Sequence, residues 1–480
     1  MSLLHATPGR SQQSGAQALD FQLVGLCLIG LALFAVYPLP YLCVIVPAIL
    51  SLYLWLRAGA VGIPTLPIVA ALSIVYYAAP ELRGDLQTND TDRILAAALA
   101  VGAFLSSAAA IYQLFLIASA RRATRIHEPR SDQRTIVELT FLCLGGGGVF
   151  YISMFTGLFD DVGTYFGIVR AVGLTFASIG CYLAGAARAQ GLLRGGSWAL
   201  ALTGVAVNGA GSMAGLLMVG AVAAVLAVIL GYVIVKRRIP WITLALAFAL
   251  VSVLQAGKSE IRERYWNPDQ VASYSQLPTI IGDWIVSGVE VVWSGTQRID
   301  VLERASLLWT VIRVQELTPE AVPYLDGESY MLLPAYLVPR FIDPDKPKSQ
   351  AGLNLLAVRY GLQTEEDTER TTIAFGLVAE AYANFGSWGL LAIGGIFGAI
   401  CGIITWFSTG VSLISVRMFI AIAAMTVLLD VEADLAYMLV TIFQAVAGVL
   451  IAAAVLALAK GVMRVNSVPG VTRRAGTAAE

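Results

Sequence analysis

Long apolar stretches separated by short polar connections dominate the sequence. About 20 consecutive apolar residues cross the hydrocarbon core of a bilayer as a helix. Stretches of this kind recur along the chain, and the pattern predicts an all-α polytopic membrane protein with about 12 transmembrane helices. The predicted spans cover residues 21–36, 39–56, 62–79, 94–119, 136–158, 165–187, 198–207, 213–235, 241–256, 388–407, 416–429 and 435–459.

Composition agrees with this pattern. Of the 480 residues, 58% are hydrophobic and 13% are charged, which excludes a soluble enzyme. The net charge of -1 comes without a basic stripe, so nucleic acid is not an expected partner. The cysteines all fall inside predicted spans, and no disulfide framework is expected. They are Cys27, Cys43, Cys143, Cys181 and Cys401.

Two glycine-containing stretches affect how the spans are drawn. Residues 198–235 would extend about 57 Å as one helix against a core of about 30 Å, so the chain must fold back. The segment Asn208-Gly-Ala-Gly-Ser212 is predicted to form that turn. The run Gly145 to Gly148 lacks the Lys and Ser/Thr of a phosphate loop. It indicates close helix packing or a kink.

The distribution of charge between the connections predicts the orientation. Lys and Arg are enriched in cytoplasmic loops, and the basic connections all fall on one side by parity. The tails 1–20 and 460–480 are therefore expected in the cytoplasm. The basic residues are Arg121, Arg122, Arg125, Arg130, Arg134, Arg188, Arg194, Lys236, Arg237, Arg238, Arg464, Arg473 and Arg474.

A polar insertion at 258–387 separates the predicted membrane regions 21–257 and 388–459. Positions 258 to 370 hold 17 acidic and 11 basic residues, whereas the whole chain has 32 and 31. The spans are nearly free of charge, so chemistry is predicted in this external loop. Apolar residues at helical spacing in 280–292 and 302–317 predict two amphipathic helices on the membrane face.

The prolines of the loop surround a pair of cations. Pro334, Pro339, Pro344 and Pro347 disfavour a regular helix and predict a stiff loop. This loop would hold Arg340 and Lys346 beside Tyr330 and Tyr336, presenting positive charge to an anion and aromatic faces to a sugar. The alternative is a loop stiffened for stability alone.

Other charges of the loop are weaker candidates. Arg262 and Arg264 follow a span directly, where they either bind anionic head groups or solvate a helix end. Arg298, Arg304 and Arg313 accompany the second amphipathic helix and are either anion ligands or solvated charges.

A further candidate is a carboxylate near the end of the loop. Thr372, Gly376, Glu380 and Asn384 recur every four residues, which predicts one small, polar helix face. A carboxylate on such a face is expected to line a wet cavity. The alternative is a surface or capping role for Glu380.

An ordered set of short motifs runs through the loop. Gly327-Glu-Ser-Tyr330 precedes Pro339-Arg340 and Lys346-Pro347, and Glu380, Asn384-Phe385-Gly386 and Gly389 follow. In these motifs, over roughly residues 318 to 400, the chain resembles the oligosaccharide repeat-unit polymerases (Wzy-type) of O-antigen and exopolysaccharide synthesis.

The resemblance implies a GT-C-like membrane glycosyltransferase. Such an enzyme transfers a growing glycan from its polyprenyl diphosphate carrier to a sugar hydroxyl of the next lipid-linked repeat unit, on the periplasmic face. It implies a polyprenyl-diphosphate-linked oligosaccharide and the lipid bilayer as partners, and possible contact with chain-length regulator and export proteins.

The implied reaction assigns roles to the candidates. Arg340 and Lys346 would stabilise the diphosphate leaving group. Glu380 would act as general base, with Glu328 as second choice. The residues expected to bind substrate are Arg262, Arg264, Arg313, Glu328, Tyr330, Tyr336 and Asn384.

Neither a metal nor another cofactor is expected, because both histidines, His5 and His127, lie on the predicted cytoplasmic side. The same feature disfavours the related O-antigen ligases, which are associated with a functional histidine in the external loop. A lipid-linked oligosaccharide flippase or transporter is a rival that favours a charged central cavity and short loops. A non-catalytic receptor of an export complex is another.

Overall fold

The computed structural model describes residues 39–83, 86, 88, 90–123, 132–213, 218–238, 240–265, 276–294, 306–369 and 371–466. Throughout these ranges the regular structure is helical, with no β-strand. The predicted span 21–36 and the tail 1–20 lie outside them, as do residues 467–480 of the predicted C-terminal tail.

The helices before the loop follow the apolar pattern closely. They are α1 (Leu42–Arg57), α2 (Thr65–Ser73), α3 (Ala79–Arg83), α4 (Thr91–Ala123), α5 (Gln133–Phe155), α6 (Phe166–Ala189), α7 (Gly195–Met213), α8 (Val219–Lys236) and α9 (Trp241–Tyr265). A π-helical turn at Ile74–Ala78 joins α2 to α3, so the two helices are continuous.

The remaining helices lie in the loop and in the final spans. They are α10 (Leu277–Ser294), α11 (Leu307–Leu317), α12 (Leu333–Leu337), α13 (Ala351–Arg359), α14 (Glu365–Thr368), α15 (Gly376–Ser408), α16 (Val416–Val427) and α17 (Leu435–Asn466).

Within the described residues, eight helices are long and apolar enough to cross a membrane. The prediction of an all-helical polytopic membrane protein is confirmed at this level, and the count of about 12 spans stays a prediction. Helices α1 and α16 are apolar but shorter. The eight are Thr65–Leu82, Thr91–Ala123, Gln133–Met154, Phe166–Ala189, Val219–Lys236, Trp241–Lys258, Gly376–Ser408 and Leu435–Ala457.

The predicted turn at Asn208 to Ser212 is wrong. Helix α7 continues through these residues to Met213, and α8 begins at Val219. The side-chain amide of Asn208 donates to the carbonyls of Leu144 and Gly204, at 3.0 and 2.8 Å. Asn208 therefore joins α7 to α5 instead of ending a helix.

The glycine run 145–148 serves helix packing, as predicted. At Gly147 an added Cβ would lie 2.8 Å from Cα of Ala177, and at Gly146 it would lie 3.3 Å from the ring of Phe176. Since both neighbours belong to α6, the run lets α5 and α6 approach closely.

Helices α4 and α15 pack closely against each other. Gly394 and Gly398 of α15 face the backbone of Phe104 and Ala108 in α4, where a side chain would have no room. The rings of Phe104 and Phe397 lie 5.8 Å apart. Because lipid supplies little hydrophobic drive between helices, such small-residue contacts determine which helices pair.

Both predicted amphipathic helices exist, and α10 keeps an exposed apolar face, with Val286 and Val292 more than half exposed. In α11, Leu308 and Val311 are fully buried in the main core, so its predicted place on the membrane face is wrong. Helix α10 runs back along α9, where the Trp284 indole donates to the Leu254 carbonyl at 2.5 Å. Residues 302–305 of the second prediction lie outside the described ranges.

The predicted boundary between loop and span, at residue 387, falls within helix α15 and next to its kink. Helix α15 begins at Gly376 and passes through it, with a kink at Phe385 and Gly386. The φ of Gly386 is +59°, a conformation that favours glycine. Thr372 precedes the helix, so it does not share a helix face with Glu380.

Candidate functional site

Glu380 joins three parts of the chain at the loop end of α15. Its side chain is fully buried. The Ser329 hydroxyl donates to Oε1 at 2.7 Å, and the Leu435 amide donates to Oε2 at 2.8 Å. Leu435 is the first residue of α17, so the carboxylate lies at the positive end of that helix. The prediction that Glu380 lines a wet cavity is wrong, because protein donors occupy both oxygens.

Asn384, one turn further along α15, holds the same loop segment. Its Oδ1 accepts from the amide of Gly327 at 2.9 Å, and its Nδ2 donates to the Ser329 hydroxyl at 2.9 Å. Nδ2 also donates to the Glu380 carbonyl at 2.9 Å. The motif Gly327–Tyr330 and the motif around Glu380 and Asn384 are thus one hydrogen-bonded unit.

The kink in α15 adds two backbone contacts to this unit. The amide of Leu325 donates to the carbonyl of Ala383 at 3.0 Å, and the amide of Asp326 donates to that of Asn384 at 3.2 Å. Both carbonyls immediately precede the break at Phe385. The loop therefore docks where α15 has lost its regular hydrogen bonding.

Asp434 is a buried carboxyl group that the sequence analysis missed. Its side chain has no exposed surface, and Oδ1 accepts from the amide of Tyr437 at 2.6 Å, which caps α17. Burial raises the pKa of Asp434 to about 6. The sequence did contain a signal for this residue. Asp434 lies directly before the apolar run that begins at Leu435, and an aspartate at that position is typical of a helix N-cap.

The two predicted aromatic residues differ in their accessibility. Tyr330 stacks on Phe385, with ring centroids 6.1 Å apart, and burial raises the pKa of its phenol. Tyr336 is 2% exposed, and its hydroxyl accepts from the Gly352 amide at 3.1 Å. Burial, followed by the charge of Asp434, raises the pKa of Tyr336 to about 12. The face of Tyr336 is therefore covered in this arrangement.

Arg340 and Lys346 lie together in an outer turn. The ammonium of Lys346 donates to the carbonyls of Tyr336 and Val338, at 2.8 and 2.6 Å. The exposed Arg340 donates to the carbonyl of Pro344 at 3.2 Å. Burial lowers the pKa of Lys346, and the nearby charge of Arg340 lowers it further.

The cations and the carboxylates therefore occupy different environments. Arg340 is exposed, whereas Glu380 is fully buried. Tyr336 lies between the two groups, since its carbonyl accepts from Lys346 while the charge of Asp434 acts on its hydroxyl. The structure brings Arg340 to Lys346 and Glu380 to Ser329 and Asn384, but it shows no direct contact between the two sets within the described residues.

Two of the remaining candidates form ion pairs away from Glu380. Arg264 pairs with Glu260 at 3.3 Å and with Asp283 at 3.5 Å. Arg313 lies 3.9 Å from a carboxylate oxygen of Glu316. Both are at least one-third exposed, and such pairs contribute little to stability.

Glu328 and Arg262 lie nearer to the site than those two. Glu328, next to Ser329 in sequence, pairs with Arg359 at 2.9 Å. Arg262 is half-buried, and burial lowers its pKa against the opposing effect of Glu432. Arg298, Arg304, His5 and His127 lie outside the described ranges.

In the part of the chain that the structure describes, no group of three or more His, Cys, Asp or Glu side chains is arranged to hold a metal ion. Comparison of the chain with protein-family models, with curated proteins and with solved structures finds no significant match. The site is thus characterised by its own geometry, a buried polar unit of Glu380, Asn384 and Ser329 on the N-terminus of α17.

Proposed function

We propose that this chain is a metal-independent membrane glycosyltransferase. It would join polyprenyl-diphosphate-linked oligosaccharide repeat units into O-antigen or exopolysaccharide on the periplasmic face of the bacterial inner membrane. One observation carries the proposal: hydrogen bonds, two of them through Ser329, connect the segment Gly327–Tyr330 to Glu380 and Asn384. These segments carry the resemblance to repeat-unit polymerases, and they lie more than 50 residues apart in sequence.

In the proposed reaction, the acceptor sugar hydroxyl attacks the anomeric carbon of the growing glycan. The bond from that carbon to the carrier diphosphate breaks, its electron pair leaves with the diphosphate, and the hydroxyl proton passes to a base. Negative charge therefore grows on the leaving group, where positioned cations stabilise it. Arg340 and Lys346 are proposed for this role, because both lie in one turn at the loop end.

Glu380 is the proposed base, and Ser329 marks the position of the acceptor. The Ser329 hydroxyl donates to Oε1 as a sugar hydroxyl would. Reaction therefore requires the 325–330 segment to shift so that the acceptor hydroxyl replaces that of Ser329. Burial favours a base, because a carboxylate removed from water accepts a proton more readily.

The proposal includes about 12 spans, a GT-C-like fold and cytoplasmic termini. Arginines at the helix ends opposite the loop support this orientation. Arg122 closes α4, Arg417 opens α16, and Arg237 donates to the carbonyl of Ala60 at 2.6 Å. Chain-length regulator and export proteins are the proposed protein partners.

The test is chain extension from purified lipid-linked repeat units by the reconstituted protein. Glu380→Gln and Arg340→Ala should each lower the yield of polymer at least about a hundredfold, the usual share of a positioned base or charge stabiliser. Arg134→Gln, which disrupts only an exposed ion pair with Glu138 in α5, is the matched control and should extend normally.

The same assay separates the rival functions. Polymer from Glu380→Gln would remove that residue from the chemistry. Translocated monomer without polymer from the wild type would identify a flippase, and transfer to a different lipid acceptor would identify a ligase. Binding of repeat units without either product would identify a receptor.

A further inference from the structure

Two guanidinium groups lie over one indole ring at the end of the bundle opposite the loop. The ring belongs to Trp406, in the last turn of α15. The Cζ atoms of Arg122 and Arg417 lie 4.9 and 5.2 Å from its centroid. Arg417 also lies 4.8 Å from the centroid of the Phe407 ring. Cation–π attraction therefore holds both arginines in place.

The packing of the helices explains why these groups meet. Gly402 of α15 faces the ring of Phe115 in α4, so the two helices stay in contact toward their last turns. Ser415 caps α16 by accepting from the amide of Met418 at 3.2 Å, which places Arg417 in the first turn of that helix. Three different helices thus converge on one aromatic ring.

The charge of the two arginines is not balanced locally. Among the described residues, neither Arg122 nor Arg417 forms an ion pair with a carboxylate. Both side chains are partly buried, and the Nε atom of Arg122 is buried without a hydrogen-bond partner. Both Cζ atoms lie within 5.2 Å of one ring centroid, so the two like charges repel each other, and a bound anion would relieve the repulsion.

Part of this charge has a structural explanation. The C-terminus of α15 favours cations through its dipole, and Arg417 donates to the Trp406 carbonyl at 3.5 Å. One such bond uses one of the five N–H donors of a guanidinium. The terminal N–H groups of the two guanidinium groups provide further donors for an anion.

We propose that Arg122 and Arg417, held on Trp406, form a binding site for a phosphate group. Two planar donor forks match the oxygens of a phosphate, which they bind in bidentate fashion. The site lies at the ends of membrane-crossing helices, where lipid phosphates are concentrated. The phosphate is carried by an anionic membrane lipid or is free in solution, and the two sources are separable by experiment.

The experiment uses the full chain in nanodiscs. Bound lipid is counted by native mass spectrometry after release from discs of phosphatidylglycerol or phosphatidylcholine, and thermal unfolding in detergent is followed with and without inorganic phosphate. The wild type should retain phosphatidylglycerol selectively. Arg122→Gln and Arg417→Gln should each weaken that retention about tenfold, the effect of losing a charge-assisted contact.

Two further variants keep the test decisive. Arg188 lies 5.4 Å from the ring of Trp198 and donates to the Leu193 carbonyl at 3.1 Å. It is a single arginine on a single indole, so Arg188→Gln is the matched control and should keep normal retention. Arg417→Lys preserves the charge and the fold but not the fork, and should retain less phosphatidylglycerol than the wild type.

Each outcome either supports one source of the phosphate or overturns the proposal. Selective retention of phosphatidylglycerol, lost in both glutamine variants, supports a lipid phosphate. Stabilisation of the wild type by inorganic phosphate, absent from those variants, supports a free phosphate. Equal lipid retention by the wild type and both variants, together with no response to inorganic phosphate, would overturn the proposal.

Discussion

The two halves of helix α15, on either side of Phe385 and Gly386, hold their neighbours by opposite means. On the loop side, the buried Glu380 and Asn384 hold Ser329 and Leu435 through directed hydrogen bonds. Beyond the kink, glycines let the backbone of α15 touch that of α4. The first half thus depends on every donor having an acceptor, and the second depends on the absence of side chains.

The two kinds of contact therefore have different effects, because the hydrogen bonds fix the position of the loop whereas the glycine contacts hold two helices together. A hydrogen-bonded polar unit fixes the loop in one place, because a small displacement leaves buried groups unsatisfied. A glycine contact holds two helices together but tolerates slight sliding. We therefore expect the most damaging single changes in the glycine half and the more specific, pH-sensitive changes in the polar half.

The largest expected effect comes from Gly398→Ala. The added methyl group would meet the Ala108 carbonyl oxygen, a backbone atom that cannot turn away. Separation of α4 from α15 should lower the free energy of unfolding by about 1–3 kcal/mol, measured by denaturation in mixed detergent.

Gly395→Ala is the matched control in the same turn. Its methyl group would meet only side-chain atoms, Cγ1 of Ile111 at 3.4 Å and Oγ of Ser107 at 3.6 Å, both at ordinary contact distance. The variant should be neutral or gain up to about 1 kcal/mol from helix propensity. Equal losses at positions 395 and 398 would contradict the glycine contact.

An intermediate effect is expected from Asp434→Asn, through pH. The Asp434 pKa is raised from 3.8 to about 6, so between these values the native state binds its proton more tightly than the unfolded state does. Stability from this group is therefore greatest at low pH and falls as pH rises through the window, by an amount of order 2 kcal/mol. Asparagine does not ionise and should flatten this slope.

Unfolding between pH 4 and 7 provides the measurement. Burial and the charge of Glu432 raise the pKa of Asp430 to about 6 as well, so some slope of the same sign should remain in the Asp434→Asn variant. A slope identical to that of the wild type would show that Asp434 is not a buried acid.

The smallest effect is expected from Arg359→Gln. Arg359 pairs with Glu328, next to the polar half, but the two side chains are 40% and 46% exposed. Loss of an exposed pair should change the free energy of unfolding by less than about 1 kcal/mol, and high salt should remove the difference. A larger, salt-independent loss would place this pair inside the polar unit.

The apolar pattern predicted the helices well because burial in lipid imposes a length and a composition on each. It misplaced the turn at Asn208. A polar residue near glycines predicts the end of a helix when its hydrogen-bond partner in another helix is unknown. The environment of Glu380 was mispredicted for a related reason. A small, polar helix face indicated a wet cavity, whereas the partners Ser329 and Leu435, distant in sequence, bury Glu380 within the protein.

The structure unites only part of the predicted site. The ordered motifs selected Glu380, Asn384 and the segment around Ser329 as one group. That Ser329 would connect the first two, and that Asp434 would lie buried at the same helix terminus, depends on the packing of α15 against α17. No local pattern in the sequence reports that packing.

The kink at Gly386 means that helix and loop compete for the same two acceptors. In an unbroken helix the carbonyls of Ala383 and Asn384 would each accept from an amide four positions later. Here they accept from Leu325 and Asp326. A residue that straightened α15 would not simply strengthen it, because the helix would reclaim its own bonds and release the segment carrying Ser329.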